Sequence, residues 1–430
     1  MSDRRSTQLR RAVASSFLGS VIEYYDFLLY ATASALVFGK VFFTGLDSWV
    51  ATIASLGTFT TGYLARPLGG LIFGHFGDRV GRKRMLVLTM VLMGAASFLI
   101  GLLPAYRQIG AWAPVGLVLL RVLQGVAVGG EWGGAVLMSA EHATSRRGLC
   151  AGFTNAGAPC GMLLSTAALT GTAAAVGESA FLAWGWRIPF LLSIALLVTG
   201  LFVRLKVEEP PVFQAVKHDL RRPPLLEVLR DRPRALLLGI GTGLAAFVAQ
   251  ATLTTYVLAY GVQVGFTRQT VLNSITISSA FAVAGIIAWS ALSDRIGRRP
   301  VVLAGACAMA VFSFVLFPLV DSGSGALLVL ALVLGQGVVH PMMFGPLAAL
   351  YTELFSTRSR YTGVSLGYQL ASLGGGLAPL LFAQLRNTGA ISATITAFCV
   401  LAAFCVLSLR ETSRQDLNAV EATPEKEGTH

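Results

Sequence analysis

Charge is what this 430-residue chain has least of. Lysine, arginine, aspartate and glutamate together reach 13%, about half the share that covers the surface of a water-soluble domain. That shortage excludes a fully hydrated exterior. Cysteine is scarce as well. Its five copies (Cys150, Cys160, Cys307, Cys399 and Cys405) all lie in apolar stretches and none has CxxC spacing, so packing is their expected role and neither redox nor metal chemistry is. No phosphate-cradling loop, metal-ligand cluster or nucleophile–base pairing is legible, which argues against an enzyme. The glycine-rich stretch Gly125 to Gly134 falls inside a long apolar run, where close helix packing explains it.

Apolar length is what the chain has in plenty. It is 54% hydrophobic, with 47 glycines and a mean hydropathy of +0.69. Runs of about twenty apolar residues span a bilayer as helices. Twelve are read, at roughly 15–41, 50–75, 84–104, 113–140, 148–175, 187–206, 234–262, 269–292, 300–320, 325–353, 361–386 and 390–409. The first carries Glu23 and Asp26 and lacks a small-residue cleavage site, so it reads as a retained helix rather than a signal peptide. The net charge of +12 resides in the short links, which favours a membrane over nucleic acid as partner. Arg4, Arg5, Arg10 and Arg11 precede the first run. Alternate links then hold Arg79, Arg82, Lys83 and Arg84; Arg146 and Arg147; Arg295, Arg298 and Arg299; and Arg358 and Arg360. The positive-inside rule puts these links and both termini in the cytoplasm.

One basic turn is written twice, as Gly77-Asp78-Arg79-Val80-Gly81-Arg82-Lys83-Arg84 and as Ser293-Asp294-Arg295-Ile296-Gly297-Arg298-Arg299-Pro300. Glu141 with Arg147 closes a later run, and Glu353 with Arg358 and Arg360 closes its counterpart half a chain on. Two halves on one plan are the mark of a two-bundle transporter. The expected organisation is a cytoplasmic tail over 1–14, a six-helix bundle over 15–206, a cytoplasmic linker over 207–233, a second bundle over 234–410 and a disordered tail over 411–430. The linker contains Glu208-Glu209-Pro210-Pro211 and an amphipathic stretch near Leu225 to Leu229, which reads as a tether along the membrane surface.

These landmarks resemble the major facilitator superfamily, and its metabolite:proton symporter branch in particular. The paired GDRVGRKR and SDRIGRRP turns look like the signature loop of the superfamily. The branch is carried by Ile22-Glu23-Tyr24-Tyr25-Asp26-Phe27, Arg66-Pro67-Leu68-Gly69-Gly70, Arg121-Val122-Leu123-Gln124-Gly125, Gly129-Gly130-Glu131-Trp132-Gly133-Gly134 and Gly185-Trp186-Arg187-Ile188-Pro189-Phe190. Tyr361-Thr362-Gly363, Gly367-Tyr368-Gln369 and the run Gly374 to Gly376 bring the chain nearest to the shikimate transporters of that branch. The resemblance implies an all-α membrane protein, with twelve transmembrane helices in two pseudo-symmetric bundles, alternating access and coupling to the proton gradient. One departure stands out: the tail is too short and aperiodic for the coiled coil of the osmosensory proline/betaine members.

Charges inside a bilayer are costly and persist where they line a cavity. Glu23, Asp26, Arg66, Arg121 and Glu131 qualify, with His75 and His340 as lesser candidates. Two cations against three carboxylates leave one acid in surplus, which a symporter could neutralise with its proton. Arg66 or Arg121 is expected to grip a substrate carboxylate, because a guanidinium matches that geometry with two bonds. Glu131, Asp26 or Glu23 is expected to carry the proton. The competing reading is a fixed network that holds the first bundle together. Around the cavity, Tyr30, Gln124, Gln250, Thr254, Asn273, Gln336, Tyr368 and Gln369 are candidates for substrate hydroxyls, interhelical hydrogen bonding being the alternative for each. Asp78, Arg79, Arg82, Glu141 and Arg147, with Asp294, Arg295, Arg298 and Glu353, are expected to latch the cytoplasmic side shut. The turns themselves need Gly81 and Gly297.

The expected function is import of a small organic acid together with protons across a bacterial inner membrane. Shikimate or quinate leads as substrate, followed by dicarboxylates such as 2-oxoglutarate and then betaine-like zwitterions. Uniport or efflux on the same fold, and a non-transporting membrane sensor, are the rivals. No cofactor, metal or nucleic acid is expected, and the protein is expected to be a monomer.

Overall fold

In lipid no water is available to the peptide groups, so a spanning segment must satisfy them internally and becomes a helix. The computed structural model describes residues 2–45, 47–143, 145–209, 223–385 and 387–413, and these are helical with short links. Twelve long helices follow one another. α1 runs over Ser2–Ala33 and continues through Ser34–Phe38 and Gly39–Phe42; α2 is Ser48–Val80, α3 Arg82–Leu102 and α4 Trp112–His142. Then come α5 (Arg147–Val176), α6 (Arg187–Leu205), α7 (Pro233–Gln263), α8 (Arg268–Ile296), α9 (Arg298–Asp321), α10 (Gly325–Leu354), α11 (Arg360–Leu385) and α12 (Thr388–Ser408). Among the described residues, nine of these are apolar and long enough to cross a membrane.

The packing repeats. In the first half α1 lies on α5, α2 on α4 and α3 on α6; in the second half α7 lies on α11, α8 on α10 and α9 on α12. The halves meet where α2 runs along α11 and α5 along α8. Glycine sets the closest approach. A Cβ on Gly69 of α2 would lie 1.9 Å from the carbonyl oxygen of Val126, and one on Gly129 of α4 would lie 2.1 Å from that of Arg66. Backbone thus meets backbone, and Arg66 and Arg121 are brought to neighbouring positions. At the basic end, Gly81 (φ +133°) and Gly297 (φ +105°) turn the chain from α2 into α3 and from α8 into α9, in a region of φ that side chains disfavour.

Three features differ from the sequence expectations. Residues 2–14 continue α1 instead of forming a separate tail. π turns occupy Ser34–Phe38 in α1, Thr252–Tyr256 in α7 and Val333–Val339 in α10; such turns often mark functional stretches. Residues 210–222 of the linker and 414–430 of the tail lie outside the described residues, while Pro224–Asp231 forms a short helix. That helix buries Val228, and its Glu227 accepts hydrogen bonds from Ser356 (2.5 Å) and Ser359 (3.0 Å).

Candidate substrate site and gate

The charged centre of the first bundle is fully buried, with Glu23, Asp26, Arg66, Arg121 and Glu131 each exposing 4% or less. Both guanidinium groups lie over the ring of Phe27 on α1, Arg66 at 4.1 Å and Arg121 at 4.4 Å from its centroid. Tyr63 also faces Arg66 at 4.5 Å, and Tyr30 (4.2 Å) and Phe59 (5.0 Å) face Arg121. The Tyr30 hydroxyl is itself taken by Thr58 at 2.6 Å. An aromatic face attracts a cation by about 0.5–2 kcal/mol but leaves the N–H fork unfilled. Nε of Arg66, and Nε and Nη2 of Arg121, have no hydrogen-bond partner, and neither arginine has a carboxylate in ion-pair contact among the described residues.

The carboxylates divide. Glu131 makes no ion pair with α1 or α2 among the described residues. It pairs at 3.0 Å with Arg204 of α6, which also donates to the Leu86 carbonyl at 2.8 Å. Gly19 on α1 makes the room, since a Cβ there would lie 2.1 Å from Arg204 Nη2. Arg204, one residue before the end of α6, is only 1% exposed. It brings the buried cations to three, so the surplus acid disappears as a count. What replaces it is separation: Glu23 Oε2 and Asp26 Oδ2 have no hydrogen-bond partner among the described residues, while Asp26 Oδ1 accepts from Ser193 of α6.

Most neutral candidates of the second bundle are engaged, either within that bundle or across the boundary with the first. Gln336 accepts from Ser278 (2.8 Å) and donates to Ser279 (3.2 Å). Gln369 donates across the bundle boundary to the Gly129 carbonyl at 3.2 Å. Tyr368 stacks on Trp132 at 3.4 Å and shares a hydroxyl contact of 3.2 Å with Tyr24. Asn273 is exposed and bonds Gln269 at 2.8 Å, so it stands outside the buried centre. His340 is buried against Phe344, and His75 is half-buried beside Phe76. Gln250, half-buried one residue before the last turn of regular helix in α7 gives way to its π turn, has no side-chain hydrogen bond among the described residues. Thr254 sits inside that turn and returns its hydroxyl to the Gln250 carbonyl at 2.8 Å.

At the basic end the bundles are locked together. Asp78 of α2 accepts from the backbone N–H groups of Tyr361 (3.0 Å) and Thr362 (2.9 Å) and from the Thr362 hydroxyl (2.8 Å). Asp294 of α8 does the same for Gly148 (2.8 Å) and Leu149 (2.9 Å). Each aspartate therefore caps the first turn of a helix in the opposite bundle, α11 in one case and α5 in the other. Glu141 pairs with Arg82 beside it and with Arg360 of α11 at 2.9 Å. Glu353 pairs with Arg298 at 3.3 Å and is also drawn by Arg147 from across the boundary. Arg79 and Arg295 stand exposed at the ends of α2 and α8, with no ion pair among the described residues.

Two further clamps escaped the sequence reading. Glu209 accepts from the N–H groups of Arg82 (2.5 Å) and Lys83 (3.3 Å), while Lys83 Nζ holds the Leu205 carbonyl at 2.7 Å. In the second half, Glu411 accepts from Arg298 (2.9 Å) and Arg299 (3.0 Å), while Arg299 holds the carbonyls of Val406 and Leu407. The signal was present: a glutamate four residues after Leu205 and another four after Leu407.

Among the described residues no group of acids, histidines and cysteines is disposed to hold a metal ion. A sequence model of the Major Facilitator Superfamily matches residues 16–379 and 275–427. The chain belongs to the major facilitator superfamily. It is 38% identical over 420 residues to the Shikimate transporter of Escherichia coli (strain K12), spanning 95% of this chain and 96% of that one. It is 37% identical over 421 residues to the Inner membrane metabolite transport protein YhjE of the same organism, spanning 95% of both. It superposes on the proton:xylose symporter XylE bound to 6-bromo-6-deoxy-D-glucose with a TM-score of 0.79, at 18% identity, over 97% of this chain and 99% of that one. That last likeness is one of fold. As a major facilitator the chain is a multi-pass membrane transporter and not an enzyme.

Proposed function

We propose that this protein imports a small organic acid together with protons across a bacterial inner membrane, with shikimate as the leading substrate. The observation that carries this reading is a pair of buried guanidinium groups, Arg66 and Arg121, caged by aromatic rings and with no carboxylate in ion-pair contact among the described residues. Leaving a buried cation uncompensated is costly. A substrate carboxylate supplies the missing anion and fits the fork with two charge-assisted bonds. Gln250, at the π turn of α7, is the neutral group left to meet a ring hydroxyl. The 38% identity to a transporter of a hydroxylated ring acid supports that choice of substrate.

Glu23 and Asp26 are the acids left for the proton, since Glu131 is held by Arg204. Three buried cations balance three buried acids, so a proton on Glu23 or Asp26 offsets the negative charge that a substrate carboxylate brings, and the two are carried together. The basic end with both termini faces the cytoplasm, and the closed latch there corresponds to an outward-facing state. Alternating access then consists of breaking the Asp78 and Asp294 caps while the opposite side closes. The transporter works as a monomer. Uptake of labelled shikimate into proteoliposomes under an imposed proton gradient tests the reading.

A further inference from the structure

Gln124, a substrate candidate by sequence, has its amide occupied: it accepts from Arg121 at 3.2 Å and donates to Ser97 of α3 at 2.7 Å. Open polar volume lies instead at the basic end. A cavity of about 300 Å³ sits on the boundary between the bundles, where the first turn of α5 meets the last turn of α8. Arg146 and Arg147 line it from the first bundle, Arg295 and Arg298 from the second, and Asp294 is the acid in its lining. Its size is at the lower end of cavities that hold small molecules.

The acids nearby are already engaged. Asp294 caps Gly148 and Leu149 and pairs with Arg298 at 2.8 Å; Glu353 pairs with Arg298 at 3.3 Å; Glu411 is turned to the backbone of Arg298 and Arg299. Arg146 and Arg295 are exposed and have no ion pair among the described residues. Arg298 is buried, and its Nε has no hydrogen-bond partner among them. Arg146 also holds a φ of +52°, a backbone state that a Cβ disfavours.

The internal repeat shows what belongs in such a place. At the other corner Asp78 caps Tyr361 and Thr362 as Asp294 caps Gly148 and Leu149. Ser359, two residues before Tyr361, therefore stands where Arg146 stands before Gly148. There the chain brings an anion of its own: Glu227 of the linker helix accepts from Ser359 at 3.0 Å and from Ser356 at 2.5 Å. Among the described residues no acid does this for Arg146. One corner holds a carboxylate; the other holds a cavity lined by arginine.

We propose that this cavity is a phosphate-binding site which, when filled, holds the bundles closed. A guanidinium fork binds phosphate through two charge-assisted bonds. A phosphate monoester carries about two charges near pH 7, which suits four guanidinium groups better than a carboxylate does. Its oxygens are shared between Arg146 and Arg147 of one bundle and Arg295 and Arg298 of the other. Separation of α5 from α8 pulls these pairs apart, so the ligand favours the closed form. At a hundredfold excess over Kd, mass action lowers the ratio of open to closed protein about 100-fold. Soluble phosphate esters and the headgroups of anionic phospholipids both carry this chemistry. The site is a brake on transport that does not depend on which substrate the buried centre takes.

Binding of radiolabelled inorganic phosphate to purified full-length protein in phosphatidylcholine nanodiscs tests the site. One phosphate per chain is expected, with Kd raised about tenfold by Arg146→Ala and by Arg295→Ala, one from each bundle. Arg79→Ala, at the other corner, should leave Kd unchanged. Closure is read by Ser365→Cys in protein whose five native cysteines are changed to Ser, because this buried side chain of α11 packs on Gly133 of α4 and is reached when the bundles part. Its alkylation by a maleimide should slow about 100-fold at a hundredfold excess of phosphate over the native Kd, and about tenfold in Arg146→Ala protein at the same concentration. If phosphatidylglycerol in the disc displaces the label, the headgroup reaches the site; if glycerol 3-phosphate displaces it and the lipid does not, the ligand is soluble. Both outcomes uphold the site. Phosphate that does not bind, that binds native and both arginine variants equally, or that binds without slowing alkylation overturns the proposal. A failure of shikimate uptake alters none of these readouts.

Discussion

Replacing Asp78 by Asn should open the basic end without disturbing the charged centre. The native carboxylate caps α11 with three hydrogen bonds, of 2.8, 2.9 and 3.0 Å, from groups of the opposite bundle. An asparagine keeps one oxygen for one backbone N–H and sets its NH2 against the other. It also loses the attraction between a negative charge and the first turn of the helix. A lost charge-assisted bond and a weakened cap sum to about 2 kcal/mol, which moves the ratio of open to closed protein about 30-fold. Cys150 provides the reporter. It lies in the first turn of α5, half-buried and beside Asp294, in the other latch, and so reads global opening rather than local repair. With Cys160, Cys307, Cys399 and Cys405 changed to Ser, the rate of Cys150 alkylation by an impermeant maleimide in inside-out vesicles should rise by about that factor. A rate unchanged by Asp78→Asn would refute the latch as the element that holds the bundles closed.

Two other outcomes follow from the packing and the clamps. Gly129→Ala places a methyl 2.1 Å from the Arg66 carbonyl oxygen; it should destabilise the protein by about 1–3 kcal/mol and raise KM as Arg66 is displaced, and a melting temperature and KM equal to native would contradict the close contact. For Glu411, burial pushes the carboxyl up, but the N–H groups of Arg298, Arg299 and Ser413 outweigh it and hold the group below the usual carboxylate range. A carboxyl so depressed stabilises the fold above its ordinary pKa, and that stability is lost as pH falls through the lowered value. Glu411→Gln should therefore melt below native protein at pH 7, with the gap closing on acidification through the carboxylate range; a gap indifferent to pH would contradict the clamp.

Much of the architecture was legible because it follows from one-dimensional quantities. Apolar length gives spans, and the two copies of the basic turn announce the repeat. Glu23, Asp26, Arg66 and Arg121 were recognisable because a charge within an apolar run has few reasons to persist. Partners were another matter. Glu131 finds Arg204, which is 73 residues away and reads as an ordinary basic residue at a helix end. Asp78 caps a helix 283 residues further on, and no spacing within either half carries that registration. Amides such as Gln336 and Gln369 look alike in sequence whether they face a cavity or a neighbouring helix. Asn273 fell on the outside because the buried face of α8 runs through Val271, Ser274, Ile275, Ser278 and Ser279. π turns leave no periodic trace, since one extra residue in a helix alters the pattern only locally.

The most direct test of the account is uptake of labelled shikimate into proteoliposomes with an inward proton gradient, with 2-oxoglutarate, betaine and shikimate methyl ester as unlabelled competitors. The account predicts accumulation above equilibrium that an uncoupler abolishes, competition by acids, and none by the ester, which cannot fill the fork between Arg66 and Arg121. Uptake that ignores the gradient, or an ester that competes as well as the acid, would contradict it.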